Sequence, residues 1–189
     1  SGFITEIGLE LFQKILDEAI RELRNNEYAE LYADQPMDPP GFEVQLDTDA
    51  AALIPDHYVR NTTERLSLYR ELDDLESEEA LDAFADRLAD RFGPVPEQAQ
   101  LLVALMRLRL QGARLGMEKM VWRKGNFRAH LPDGQRQDYY QGPVFGAVLQ
   151  AVQQAPADWV LRQQGATVQL VYQHQVTVPA LYQMLVKIG

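Results

Sequence analysis

Cysteine is absent from the 189 residues. Disulfides, thiolate metal sites and thiol nucleophiles are excluded together. A reducing compartment fits this, and cytoplasmic localisation is expected. Serine is scarce: only Ser1, Ser67 and Ser77 occur, none beside a histidine, so no nucleophile–base pair is indicated. His57, His130 and His174 lie far apart and in no ligand spacing, so each is read as a satisfied side chain rather than a metal ligand. No apolar run approaches the roughly 18–20 residues that cross a bilayer, and no charged-then-apolar leader opens the chain. Neither the Gly-x-x-x-x-Gly-Lys-Ser/Thr loop nor the Gly-x-Gly-x-x-Gly turn is present, so no backbone cradle for phosphate is expected. No cofactor, no metal and no catalytic activity are expected. The opening Ser1-Gly2-Phe3 lacks an initiator Met and reads as a piece of something longer.

What the chain has is charge, unevenly spread. The net charge is −10, which argues against a free-standing nucleic-acid binder. Residues 1–98 hold 24 Asp and Glu against 8 Lys and Arg; residues 99–189 hold 4 against 10. Such asymmetry points to faces that meet different partners. Two acidic clusters resemble chemistry without its context. Asp17-Glu18-Ala19-Ile20 spells the magnesium-holding box of ATP-driven helicases, but it lies inside a helical period with no phosphate loop. Asp47-Thr48-Asp49 offers two carboxylates, too few for a hard-cation cage, and reads as a turn.

The periodicity divides the chain. Leu11, Phe12, Ile15, Leu16, Ala19 and Leu23 predict a helix over 8–25. The prolines in 35–41 predict a linker before the main domain. Phe42, Val44 and Leu46 alternate as one side of a strand. A helix is predicted from Thr62, capped by Asn61 with Glu64 three residues on, and buries Leu66, Tyr69 and Leu72. The next is predicted from the Ser77 cap through the stripe Leu81, Phe84, Ala85, Leu88 and Phe92. Gly93, in a left-handed conformation, and Pro94 end it. Pro96 opens a third in its first turn, carrying Leu101, Leu102, Leu105, Leu108 and Leu115. Strands are predicted at 120–123 and 126–131 around Lys124-Gly125, a helix at 143–154, a second hairpin at 159–163 and 167–173 turning at Gln164-Gly165, and a last helix from Pro179. Helices first and hairpins later predict an α+β fold: helices packed on a small antiparallel sheet, with an N-terminal linker helix.

Three stretches in series carry a family resemblance: 2–12 (Gly-Phe-Ile-Thr-Glu-Ile-Gly-Leu-Glu-Leu-Phe), 54–59 with 64–72 (Ile-Pro-Asp-His-Tyr-Val and Glu-Arg-Leu-Ser-Leu-Tyr-Arg-Glu-Leu), and 90–96 (Asp-Arg-Phe-Gly-Pro-Val-Pro) followed by the Leu101-Leu102 helix. Over roughly residues 2–117 the chain resembles the C-terminal domain of bacterial transcription-repair coupling factors, while Val59-Arg60-Asn61 departs from the more acidic stretch usual there. The resemblance implies residues 1–34 as a linker helix leaving an absent translocase motor, 35–41 as a linker, and 42–189 as a C-terminal regulatory domain. It also implies that this domain packs on the parent's N-terminal UvrB-like module, masks the surface that binds UvrA, and so connects indirectly with RNA polymerase. The candidate contact is the helix after Ser77. Asp82, Asp86 and Asp90 repeat at four residues, beside a row of Arg87 and Arg91. Repeated like charges weaken an isolated helix slightly, which a complementary partner would relieve. The competing reading is a nucleic-acid contact built from Arg107, Arg109, Arg114, Lys119, Arg123, Lys124 and Arg128 with Trp122 and Phe127 among them.

Overall fold

The structure, a computed structural model, describes residues 44–189. The expected helix over 8–25, the linker at 35–41, the Asp17-Glu18 box and the strand position of Phe42 lie outside the described residues.

The chain runs β1 (Gln45–Thr48), α1 (Thr62–Asp73), α2 (Glu78–Phe92), α3 (Glu97–Arg114), β2 (Lys119–Arg123), β3 (Asn126–Leu131), α4 (Gln137–Tyr140), α5 (Pro143–Gln154), β4 (Trp159–Gln164), β5 (Thr167–Tyr172) and α6 (Val178–Ile188). The local signals explain most boundaries. The Asn61 side chain accepts from the Glu64 amide at 2.8 Å, and Ser77 Oγ accepts from the Ala80 amide at 3.1 Å. Each cap satisfies a donor that the first helical turn leaves open.

Two end-of-helix expectations shift. Pro96 lies just outside α3 in an extended conformation, φ −64° and ψ 156°, and its carbonyl accepts from the Ala99 and Gln100 amides. Gly93 has φ 87° as expected of glycine, but its ψ of −166° is the mirror-extended region and not the left-handed helix. The chain therefore leaves α2 extended, on a course that the Gly93 amide bond to Ala89 O alone would not set. The four-residue α4 was not anticipated; so short a helix shows too little periodicity to read.

The five strands form one sheet in the order β1-β2-β3-β5-β4. Three neighbouring pairs are antiparallel, as expected. β1 pairs parallel with β2, Leu46 against Met120, so the sheet is mixed. Three helices separate the two strands, and only a long crossover lets parallel neighbours meet. The β2–β3 hairpin turns on Lys124 (φ 49°) and Gly125 (φ 77°), the two positive φ values that a tight two-residue hairpin needs. The second hairpin turns one residue later than expected, at Gly165-Ala166, with Gln164 opposite Thr167.

Register places Leu46, Met120, Ala129 and Leu170 in one line across four strands, and none is exposed. This row joins Leu102, Leu105, Leu108, Leu181 and Leu185 in a core shared by helices and sheet. α3 approaches closely: a Cβ at Gly112 would lie 2.3 Å from Met120 Sδ, so a larger residue there would push the Met120 thioether aside. Among the described residues no helix is long and apolar enough to cross a membrane.

Candidate interaction surface

α2 lies between α1 and α3, and its charges sort by direction. Leu81, Phe84 and Leu88 point inward and are buried. Arg87 pairs with Glu71 and Arg91 with Glu64, both carboxylates on α1. On the other flank Asp82 pairs with Arg107, and Glu78 with Arg114 at 3.1 Å, both cations on α3. Glu78 also accepts from the Tyr182 phenol of α6. These pairs are exposed, so each contributes only about 0–1 kcal/mol, yet together they set how the three helices align.

The five residues marked on α2 thus fall into two sets. Asp82, Arg87 and Arg91 are engaged within the domain. Asp86 and Asp90 are exposed on the outer side, with no ion pair among the described residues. Glu79 shares that side two turns before Asp86 and is exposed too. It was missed, although its spacing of seven and eleven residues from Asp86 and Asp90 was the signal that would have found it. The outer face of α2 is therefore an acidic line, Glu79, Asp86 and Asp90, on a helix braced from both sides.

The stretches that carried the family resemblance meet at one corner. The Tyr58 phenol lies 2.9 Å from Leu88 O and 2.8 Å from Gly93 O, so its single proton is shared between two carbonyls at the end of α2. Its ring stands edge-on to Phe92, centroids 5.7 Å apart, and burial raises its pKa. Tyr69 Oη accepts from the Ile54 amide at 2.7 Å, and burial pushes this phenol up to about 12. Arg65, itself buried, donates to Val59 O at 2.8 Å. The 54–59 segment is thus held by α1 through Tyr69 and Arg65, and in turn caps α2 through Tyr58. Phe92 is only half-buried, not the core anchor that its place in the stripe predicts, because it meets the loop edge instead of the helix interior.

One charged pair lies inside the fold. Asp73 at the end of α1 and Arg109 in the middle of α3 are both 1% exposed and 3.0 Å apart. Burial raises the Asp73 carboxyl against the opposing pull of Arg109 and lowers the Arg109 guanidinium against that of Asp73. Nothing in the linear pattern singled out either residue as internal.

The two loop carboxylates also have structural partners. Asp47 is the third residue of β1, not a turn, and accepts from Arg123 Nε at 2.8 Å. Asp49 accepts from the Lys124 amide at 3.1 Å. Among the described residues no group of three His, Asp or Glu could hold a metal ion. His174 Nε2 lies 3.0 Å from Asp158, His130 Nε2 lies 3.2 Å from the Gln169 amide nitrogen, and His57 is exposed beside Asp56.

The basic set divides: by register Lys119, Arg123 and Arg128 share one face of the sheet, and the others lie elsewhere. Arg109 is internal, Arg107 and Arg114 serve α2, and Arg123 serves Asp47. Phe127 is buried, and the Trp122 indole donates to Val176 O at 2.9 Å.

Against known proteins, the family model for the TRCF domain matches residues 48–142. The transcription-repair-coupling factor of Rickettsia typhi is 30% identical over 120 residues, 64% of this chain and 10% of that protein. That of Escherichia coli K12 is 28% identical over 120 residues, with the same shares. The chain spans about a tenth of the length of the curated relatives it matches. In fold it is similar to a crystal structure of the C-terminal domain of a transcription-repair coupling factor, with TM-score 0.63 and 13% identity over 77% of this chain and 93% of that one.

Proposed function

The chain belongs to the TRCF domain family, and from that membership we propose that it is a non-catalytic interaction domain that restrains its parent repair factor. It packs on the parent's N-terminal UvrB-like module and masks the surface to which UvrA binds, until motor action at a stalled RNA polymerase releases it. The observation that carries this reading is the outer face of α2. Glu79, Asp86 and Asp90 are exposed there, on a helix that Glu64, Glu71 and Arg107 hold in place. A rigid acidic line fits a basic partner surface at little ordering cost. Exposed charge of this kind governs specificity and release more than raw affinity, which suits a contact that must open.

The test combines this chain with the isolated UvrB-like module of the same parent. Binding that weakens as salt rises, and weakens at least tenfold in Asp86→Lys/Asp90→Lys with unchanged melting, is the expected result. These two positions isolate the outer face, whereas reversing Arg91 would set a second acid against Glu64. In the full parent, deleting the domain should increase UvrA binding. If the deletion binds no more UvrA than the intact protein, the masking role is wrong.

A further inference from the structure

Leu46, Met120, Ala129 and Leu170 face the helices, so the residues that alternate with them face the other way. Every Asp, Glu, Lys or Arg of the strands lies on that outer face, and the charge is nearly all of one sign. The two hairpins, 119–131 and 159–172, contain Lys119, Arg123, Lys124, Arg128 and Arg162 and no Asp or Glu. Asp47, on the edge strand β1, is the exception and is bonded to Arg123. Arg128, Arg162 and, at the β2–β3 turn, Lys124 are exposed, and their side chains meet no carboxylate among the described residues.

Register sets these cations on a diagonal. Arg123 stands opposite Asn126. Arg128 lies two residues further along β3, opposite Val171 of β5. Arg162 lies one strand beyond β5, opposite Gln169 and so two residues further again. With strands about 4.8 Å apart and about 3.4 Å of rise per residue, the backbone steps are about 8 Å and about 12 Å, and the line runs about 20 Å. That length matches about six phosphates of one DNA strand, which rise about 3.4 Å each along the axis.

The face offers few other handholds. Its apolar residues are Val121, Val160 and Val171, buried or half-buried, and Arg128 stands between two of them in the register. The strand aromatics Trp122, Phe127, Trp159 and Tyr172 all fall on the helix side. A protein partner is anchored mainly by large side chains seated in pockets, and a single strand by bases stacked on rings. A duplex backbone needs only cations and hydrogen-bond donors. Gln164 and Thr167, both exposed, add neutral donors at the far hairpin. The net charge of −10 sums over all faces. At 0.1 M salt a Debye length of about 10 Å keeps the carboxylates of the helix layer from cancelling the cations of the sheet.

We propose that the outer face of the sheet is a contact surface for the phosphate backbone of double-stranded DNA, held by Arg123, Lys124, Arg128 and Arg162 without reading base sequence. The inference is independent of the masking role proposed for α2, which uses the helix layer.

The test is fluorescence anisotropy of a labelled duplex of about 20 base pairs titrated with the full chain. Binding should be the same for unrelated duplex sequences. With three to four phosphates neutralised, it should weaken about 20- to 50-fold between about 50 and 150 mM salt. At the lower salt, Arg128→Glu/Arg162→Glu should weaken binding at least tenfold with unchanged melting. Arg60→Glu/Arg70→Glu changes the net charge equally at two exposed arginines of the helix layer, and should weaken it less than threefold. In the unmutated chain, duplex should shift the backbone amide signals of β3 and β4 and leave those of α1 and α2 in place. No binding at the lower salt, equal losses in the two double variants, or shifts confined to the helices would each overturn the proposal. So would displacement of the duplex by polyglutamate at equal charge concentration, which would make the face a dock for an acidic protein.

Discussion

Replacing Asp73 by Leu should be among the most damaging single changes in the domain. The carboxylate and the Arg109 guanidinium are both 1% exposed and 3.0 Å apart. Removing the anion leaves a cation that cannot shed its proton in a nearly water-free site. Breaking a buried pair in this way costs about 3–5 kcal/mol. In a protein of this size each kcal/mol moves the melting temperature by about 2–4 °C, so a fall of roughly 6–20 °C is expected. The reverse change, Arg109→Met, should behave differently with pH. Burial already raises the Asp73 pKa, and without Arg109 the carboxyl rises further. The penalty is then full above the raised pKa and shrinks as pH falls through it, whereas the Asp73→Leu penalty has no such relief. Joined in one chain, the two changes replace two charges with apolar volume and should come close to neutral. Urea unfolding of the wild type, both singles and the double at pH 5 and pH 8 measures all four terms. The reasoning fails if Asp73→Leu costs under about 1 kcal/mol, or if the double variant loses the sum of the singles.

Gly93→Ala meets no steric neighbour but must hold φ 87° and ψ −166°, so a loss of about 1–3 kcal/mol in chemical denaturation is expected; a change near zero would mean the corner relaxes freely. Phe92→Ala should cost about 1–2 kcal/mol, because a half-buried ring loses only part of the transfer energy of full burial. A cost above 3 kcal/mol would place the ring deeper than the structure does. Burial pushes the Tyr69 phenol up to about 12 from its ordinary 10.0, so its protonated form is favoured in the folded state. Its contribution is complete below pH 10 and is lost between pH 10 and 12 at about 1.4 kcal/mol per pH unit. Tyr69→Phe should flatten that alkaline limb in a series of melts, and an unaltered limb would assign it to other groups.

Local chemistry along the chain determined most elements before any packing was known. Asn61 and Ser77 cap helices, Pro143 opens one, and Lys124-Gly125 turns a hairpin, because each of these acts through atoms within about five residues of itself. The inward stripe of α2 and the alternation of Phe127, Ala129 and Leu131 were legible for the same reason, since helix and strand periods are properties of the backbone alone. The outer acidic line was legible in part: Asp86 and Asp90 follow from helical spacing, and so would Glu79. Which charges remain outward was not legible. Arg91 is 27 residues from Glu64, Arg109 is 36 from Asp73, and Arg123 is 76 from Asp47. Such pairings exist only after α1, α2, α3 and the β1–β2 edge have come together. The parallel pairing of β1 with β2 and the half-exposed place of Phe92 were likewise decided by packing, because no residue near either one records which distant surface will lie against it.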